Sequence, residues 1–468
     1  MSRTIRVLMA ASEAVPFAKT GGLADVIGSL PQALENLGDL DVRVVLPRYQ
    51  TIDAPARDLG VLRVPFDDAR QLAVLQEYCS AGQYSVPTYF IDAPQYFDRA
   101  QLYGYPDDIL RFGFLCRAAL EIPKLLDWQP DIIHCHDWHT GLLPVYARHS
   151  AFKTIYSIHN LVYQGCADAS FLPRLGLDWS LYNLQELEFY GQINPMKGGL
   201  VFADALTTVS PTYAREIQTA EQGAKLEGVL RARRDDLSGI LNGLNYAAWN
   251  PRGDPYLTHH FGPNDWEGKK NCKLDLLRRV GLPLEDADKP LIGMVSRLSS
   301  QKGCDLLADA LAPLLALGCR LVVLGAGDAY YMRLFQILGH RSPEAAFVLD
   351  AYDEKLAHQI YAGSDFFLMP SHYEPCGLSQ MISLAYGTIP IVRETGGLAD
   401  TVTEFDGENG NGFVFKPYRA DALLSAVERA LDCYSSPQWS KLRQNAFAAD
   451  FSWHSPAEQY SRLYEKLV

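Results

Sequence analysis

The chain has 468 residues, 48% hydrophobic and 21% charged, a globular composition long enough for two domains of about 200 residues each. Its net charge of −13 argues against non-specific nucleic-acid binding, which rests on clustered positive charge, but leaves room for a small anion held by a few local cations. No apolar run of about 18 residues predicts a membrane span, the N-terminus has no leader pattern, and the scattered cysteines form no CxxC pair, so a cytoplasmic protein with reduced thiols is expected.

In chain order, short apolar runs predict strands at Ile5–Ala11, Asp41–Leu46, Asp131–Cys135, Thr154–Ile158 and Ala205–Val209. Such runs suit a parallel sheet covered on both faces. Helical periodicity lies between them, at Leu23–Leu37 and Arg111–Leu126. Arg48–Tyr105, rich in aromatics, Pro and Gly, predicts an antiparallel insertion. The turn-rich stretch Asn242–Asp254 marks a boundary between domains at 1–243 and 244–454.

The second half repeats the scheme. Strands are expected at Leu291–Ser296, Cys319–Leu324, Ala346–Leu349, Ser364–Met369, Thr388–Arg393 and Gly412–Phe415. Helices are expected at Cys304–Leu317, Tyr330–Leu338, Lys355–Ala362, Leu378–Tyr386 and Ala420–Asp432. The alternation predicts a doubly wound α/β domain, with ligands beyond the carboxyl ends of the strands. Residues 455–468 read as an amphipathic helix, apolar at Tyr460, Leu463, Tyr464 and Leu467, that packs back on the first domain.

One hexapeptide, Thr-Gly-Gly-Leu-Ala-Asp, occurs at Thr20–Asp25 and again at Thr395–Asp400. Each copy follows a strand and opens a helix, so the two suggest one shared structural role, a backbone turn that lets an anion approach a helix start. Arg297 and Lys302 follow a buried strand and suit a diphosphate, as a planar fork and a point charge. Glu374, in Tyr373-Glu-Pro-Cys-Gly377, is either a carboxylate for sugar hydroxyls or a helix-capping acid. His159 ends a strand, as a site residue or a hydrogen-bonded structural one. His134, His136 and His139 fit structural hydrogen bonding better than a metal, because His139 lies beyond the face the other two share. Gly325-Ala-Gly327 lacks the third glycine of a dinucleotide turn.

Taken together, Lys19-Thr-Gly-Gly-Leu-Ala-Asp25, Ser157-Ile-His-Asn160, Ser210–Ile217, Asn242-Gly with Trp249-Asn-Pro251, Arg297 with Lys302-Gly, Tyr373–Gly377 and Thr395–Val402 closely resemble the bacterial glycogen synthases, whose family includes the plant starch synthases. The resemblance runs in order over nearly the whole chain. It implies the GT-B architecture, two Rossmann-like doubly wound α/β domains facing a central cleft. It also implies retaining transfer of glucose from ADP-glucose to the non-reducing 4-hydroxyl of an α-1,4-glucan such as glycogen. Arg297, Lys302, Lys19 and helix N-termini can stabilise the departing anion, so no metal and no cofactor are expected. By the same resemblance, Lys19, Gly21 and Gly22 face the donor phosphates, and Arg297 and Lys302 bind the diphosphate. Glu374 holds the donor glucose with the backbone of Cys376, Gly377 and the adjoining Leu378. Asp25 and His159 lie beside the reacting carbon, Asn242 is near the donor, and Tyr352 stacks on adenine. Ile382 stands where the wider group often has a second Glu, and Asn245 where the family commonly has Asp. No residue is a clear covalent nucleophile, so a front-side, ion-pair-like route is favoured. The alternatives are another GT-B transferase with a different donor or acceptor, and a non-catalytic two-lobed sugar-binding protein.

Overall fold

The computed structural model describes residues 4–67, 69–79, 86–349, 351 and 353–468. The chain divides into two compact units, residues 1–243 with 453–468, and residues 244–452.

In the first unit the strands are β1 (Ile5–Ala10), β2 (Leu40–Pro47), β3 (Ala56–Phe66), β4 (Ala69–Tyr78), β5 (Thr88–Asp92), β6 (Ile132–His136), β7 (Lys153–Ile158), β8 (Ala167–Asp168), β9 (Glu188–Phe189), β10 (Gln192–Ile193), β11 (Ala205–Thr208) and β12 (Leu237–Gly239). Among the described residues, nine form one sheet in the order β12-β11-β7-β6-β1-β2-β5-β4-β3, and β8, β10 and β9 form a small separate one. Pairing is parallel from β12 to β5 and antiparallel through β4 and β3, the hairpin supplied by the aromatic-rich insertion. Chain order runs outward from β6 through β7, β11 and β12 on one side, and on the other from β1 to β2 before the β5-β4-β3 meander. The gap between β1 and β6 is therefore a topological switch point, where an open α/β sheet exposes a crevice.

Two helices expected to be continuous are broken. Leu23–Leu37 is two helices, Gly22–Ile27 and Leu30–Glu35, with Pro31 in the first turn of the second. Arg111–Leu126 is likewise Asp108–Ala119 and Ile122–Leu126, with Pro123 in the first turn. Apolar spacing runs through both breaks, but a proline is best tolerated in the first turn of a helix, so periodicity alone joins what the backbone separates. The helix His454–Leu467 buries Pro456, Ala457, Tyr460 and Tyr464 and packs against Leu30–Glu35.

The second unit holds β13 (Leu291–Val295), β14 (Arg320–Leu324), β15 (Ala346–Leu349), β16 (Phe366–Met369), β17 (Ile389–Arg393) and β18 (Phe413–Phe415). They form an all-parallel sheet, β15-β14-β13-β16-β17-β18, whose switch point lies between β13 and β16. Leu307, Leu311 and Leu314 of the helix Cys304–Ala316 share a core with Val323, Leu368 and Ile391 of the sheet and with Ala426, Val427 and Ala430 of the helix Ala420–Tyr434. A fully buried Leu contributes about 1.5–3 kcal/mol, against at most about 1 kcal/mol for an exposed ion pair, so this packing and not surface charge holds the layers.

Candidate active site

Each unit carries a group of polar residues at its own switch point. In the first unit, Glu13 lies just past β1 and is buried. Its carboxylate accepts the Thr20 N–H at 2.5 Å and the Thr20 hydroxyl at 2.9 Å. Burial pushes the Glu13 carboxyl up to about 7, although the bonds from Thr20 pull it down. The turn that Glu13 holds, residues 19–22, is exposed. Lys19 Nζ meets Asp25 Oδ1 at 2.7 Å, and burial raises the Asp25 carboxyl while Lys19 lowers it. A Cβ on Gly21 would lie 3.8 Å from its nearest neighbour, Glu13 Oε1, so the turn faces open space.

Beside it, Asp137 follows β6 with φ 58° and ψ −179°, a region natural to glycine that costs a non-glycine residue of order 1–3 kcal/mol. The position aims its carboxylate at β7: Oδ1 accepts the backbone N–H of His159 at 2.7 Å and of Asn160 at 3.2 Å. Burial raises the Asp137 carboxyl to about 7 against those bonds. His159 is buried, and its Nε2 lies 3.0 Å from Nδ1 of His136. Burial holds His134 and His159 down to about 3, and His136 and His139 well below the usual range, so the rings are neutral. His134 bonds Tyr464 at 2.9 Å and Ser157 at 2.6 Å, and His139 stacks on Tyr103. Among the described residues no group of three or more His, Cys, Asp or Glu could hold a metal ion. Asn242 is buried, and its Oδ1 has no hydrogen-bond partner among the described residues.

In the second unit, Arg297 and Lys302 follow β13 and Glu374 follows β16, adjacent strands at the switch point. Lys302 Nζ meets both Glu374 oxygens, at 2.8 and 2.6 Å, and the Ser371 hydroxyl donates to Glu374 at 3.0 Å. Arg297 is exposed and reaches Gln301 Oε1 at 3.5 Å. Cys376 is buried, Gly377 has φ 73°, and Leu378 precedes the helix Ser379–Ala385. Gln380, fully buried, donates to the carbonyls of Cys376 and Gly377 and to Thr401 of the second hexapeptide helix. Arg393 donates to the carbonyls of Ser371 and His372.

The two hexapeptides open helices of equal length, Gly22–Ile27 and Gly396–Thr401, but their glycines serve different ends. In the second copy Gly396 and Gly397 are buried, and a Cβ would fall 1.8 Å from the Glu374 carbonyl oxygen and 2.0 Å from that of Cys376. The Gly397 N–H bonds the Glu374 carbonyl at 3.1 Å. This copy seats the Glu374 loop, whereas the first presents an open turn, so a single role for both is corrected. Asn245 closes its own turn by accepting the Ala247 N–H. Tyr352 lies outside the described residues. No sequence motif marks Glu13, Asp137 or Gln380. The first two carry a positional signal, a carboxylate just beyond a buried strand, that strand boundaries alone could have revealed.

Residues 6–232 match the family described as starch synthase catalytic domain, and residues 283–448 match glycosyl transferases group 1. The chain is 46% identical to a glycogen synthase of Desulforudis audaxviator, covering 99% of this chain and 96% of that one. It is 47% identical to a glycogen synthase of Geobacillus stearothermophilus, over 99% and 98% of the two chains. Among solved structures, the catalytic domain of starch synthase IV from Arabidopsis thaliana bound to ADP and acarbose superposes with a TM-score of 0.92, at 37% identity over 100% of this chain and 99% of that one. A sucrose-phosphate synthase from Thermosynechococcus elongatus, at TM-score 0.62 and 19% identity over 99% of both chains, shares the fold. Two Rossmann-like α/β domains with these switch-point residues define a glycosyltransferase of the GT-B architecture. Within that class, the chain belongs to the glycogen synthase family.

Proposed function

We propose that this enzyme elongates an α-1,4-glucan such as glycogen, moving glucose from ADP-glucose to the non-reducing 4-hydroxyl with retention and releasing ADP. The observation that carries this reading is the Lys302–Glu374 pair at the switch point of the second unit, in a chain similar over 99% of its length to glycogen synthases. A nucleotide sugar brings two things to such a pair: phosphates for the cation and hydroxyls for the carboxylate. Lys302, held by Glu374, shares its charge with an arriving diphosphate, and Arg297 adds a planar fork. Glu374 then accepts from sugar hydroxyls, while the backbone of Cys376, Gly377 and Leu378 supplies N–H donors. Breaking the sugar–phosphate bond builds negative charge on the leaving diphosphate, which preorganised cations stabilise directly.

In the first unit, Lys19, Gly21 and Gly22 form the exposed turn, and Asp25 follows in the helix it opens; together they meet phosphate and sugar. His159 and Asn242 supply neutral hydrogen-bonding groups, and Tyr352 is assigned to adenine. The chemistry needs no cofactor beyond these residues. A cytoplasmic location fits the nine free cysteines. The test is a donor-by-acceptor matrix: ADP-glucose and UDP-glucose against glycogen, a short maltooligosaccharide and water, with nucleotide release and glucan growth both measured. Rapid growth with ADP-glucose and glycogen is expected. Equal or faster transfer from UDP-glucose overturns the donor assignment, and nucleotide release without glucan growth overturns the acceptor.

A further inference from the structure

His159 is clamped twice. Asp137 fixes its backbone, through the 2.7 Å bond to its N–H, and His136 fixes its ring, through the 3.0 Å contact between His136 Nδ1 and His159 Nε2. Both rings are neutral, because burial holds each far below neutrality. One ring must therefore donate and the other accept, and each direction fixes both tautomers.

The far side of His136 decides between them. Its Nε2 is buried and has no hydrogen-bond partner among the described residues. If His159 donated, His136 would carry its proton on Nε2, leaving a buried N–H without an acceptor. Such donors are rare, and each costs its full desolvation penalty. If His136 donates from Nδ1, the orphan is only a ring lone pair, and the buried N–H is satisfied. His159 then accepts at Nε2 and carries its own proton on Nδ1. That nitrogen has no protein partner among the described residues and is not among the buried unpaired atoms, so it is left to meet a ligand.

We propose that His136 is a positioning residue that locks His159 in the Nδ1–H tautomer, so that His159 meets the substrate as a hydrogen-bond donor and not as a base. The assignment rests on the transferase reading only for what lies beyond His159; the tautomer itself is a property of the first unit. It gives the strand pair β6–β7 a second task. Register places His136 beside Ser157, two residues before His159, and the turn at Asp137 brings the two imidazoles into line.

The test begins with the unaltered protein. Histidines are labelled with 15N, and His136→Asn and His159→Gln variants assign the signals. Pyrrole-type Nδ1 and pyridine-type Nε2 resonances are expected for both His136 and His159; the reverse pattern at His159 overturns the proposal. Kinetics give a second readout. His136→Leu removes the donor and is expected to lower kcat roughly 10–100-fold, the range seen when an orienting partner is lost, with KM little changed. His136→Asn keeps an N–H on the same side-chain carbon and is expected to recover most of that loss. Equal loss in both variants, at equal melting temperature, overturns the proposal. If the tautomer is as stated but His159→Leu, which removes the donor, retains full turnover, His159 does not face the substrate, and the half of the proposal that rests on the transferase reading is overturned.

Discussion

Gly396 lies so close beneath Glu374 that a β-carbon there would sit 1.8 Å from the Glu374 carbonyl oxygen. With φ 46° at Gly396, even alanine brings both a clash and backbone strain. Gly396→Ala is expected to cost more than about 2 kcal/mol of stability, or to displace the Glu374 loop and abolish turnover. Gly21→Ala, in the matching first-copy position, is expected to melt within a degree or two of the parent. Thermal unfolding and kcat on glycogen check both. Equal effects at the two glycines would restore a common role for the two hexapeptides.

Lys302 and Glu374 act as one unit, since Nζ reaches both carboxylate oxygens. Each single alanine variant is expected to cost about 2–4 kcal/mol in kcat/KM, the scale for losing one preorganised charge partner. The double variant is expected to cost much less than the sum, because each single change already breaks the pair. Strict additivity in a double-mutant cycle would show that the two side chains work separately.

Glu13 gives a stability signature with a definite sign. Its folded value of about 7 lies above the ordinary 4.5 because of burial, so between those values the folded chain binds a proton that the unfolded chain has released. Stability from this group is complete below about pH 4.5 and is lost as pH rises to about 7, by on the order of 3 kcal/mol. Glu13→Gln keeps an oxygen for Thr20 and removes the titration. The difference in unfolding free energy, variant minus parent, is expected to rise across that window and flatten above it. A flat difference from pH 4.5 to 8 would refute the shift.

Transfer is expected to persist in excess EDTA, because Arg297 and Lys302 offer fixed positive charge to a leaving diphosphate. Assaying nucleotide release before and after chelation is enough. Loss of most activity, restored by a divalent ion, would assign that charge to a metal.

What could be read in advance follows physical lines. The strands of the second unit are legible because buried parallel strands are unbroken apolar runs: Asp350 ends Ala346–Leu349, and Asp365 and Pro370 bracket Phe366–Met369. The helix breaks at Gly28–Ser29 and Leu120–Glu121 were not, because apolar spacing continues through Pro31 and Pro123. Lys302 and Glu374 were legible from their places after strands, but their contact spans 72 positions in sequence and depends on β13 lying beside β16. Glu13 was hidden for a different reason. Its partner Thr20 is only seven residues away, yet the bond exists only once the loop folds back. The second hexapeptide differs from the first in its surroundings, although the residues are identical. Whether a glycine faces solvent or a carbonyl oxygen is decided by chain far from it.

The return of the C-terminal helix orders events during synthesis. Residues 244–452 form an uninterrupted unit whose first residue already bonds its far end, through the 2.6 Å contact from the Leu244 N–H to the Phe451 carbonyl. The first unit, begun earlier, ends later: Trp453 must pack on Gly243, and Tyr464 must reach His134. As the chain leaves the ribosome, the part made second has all its residues in hand first. The older part waits, with His134 lacking its tyrosine, until residues 453–468 have emerged.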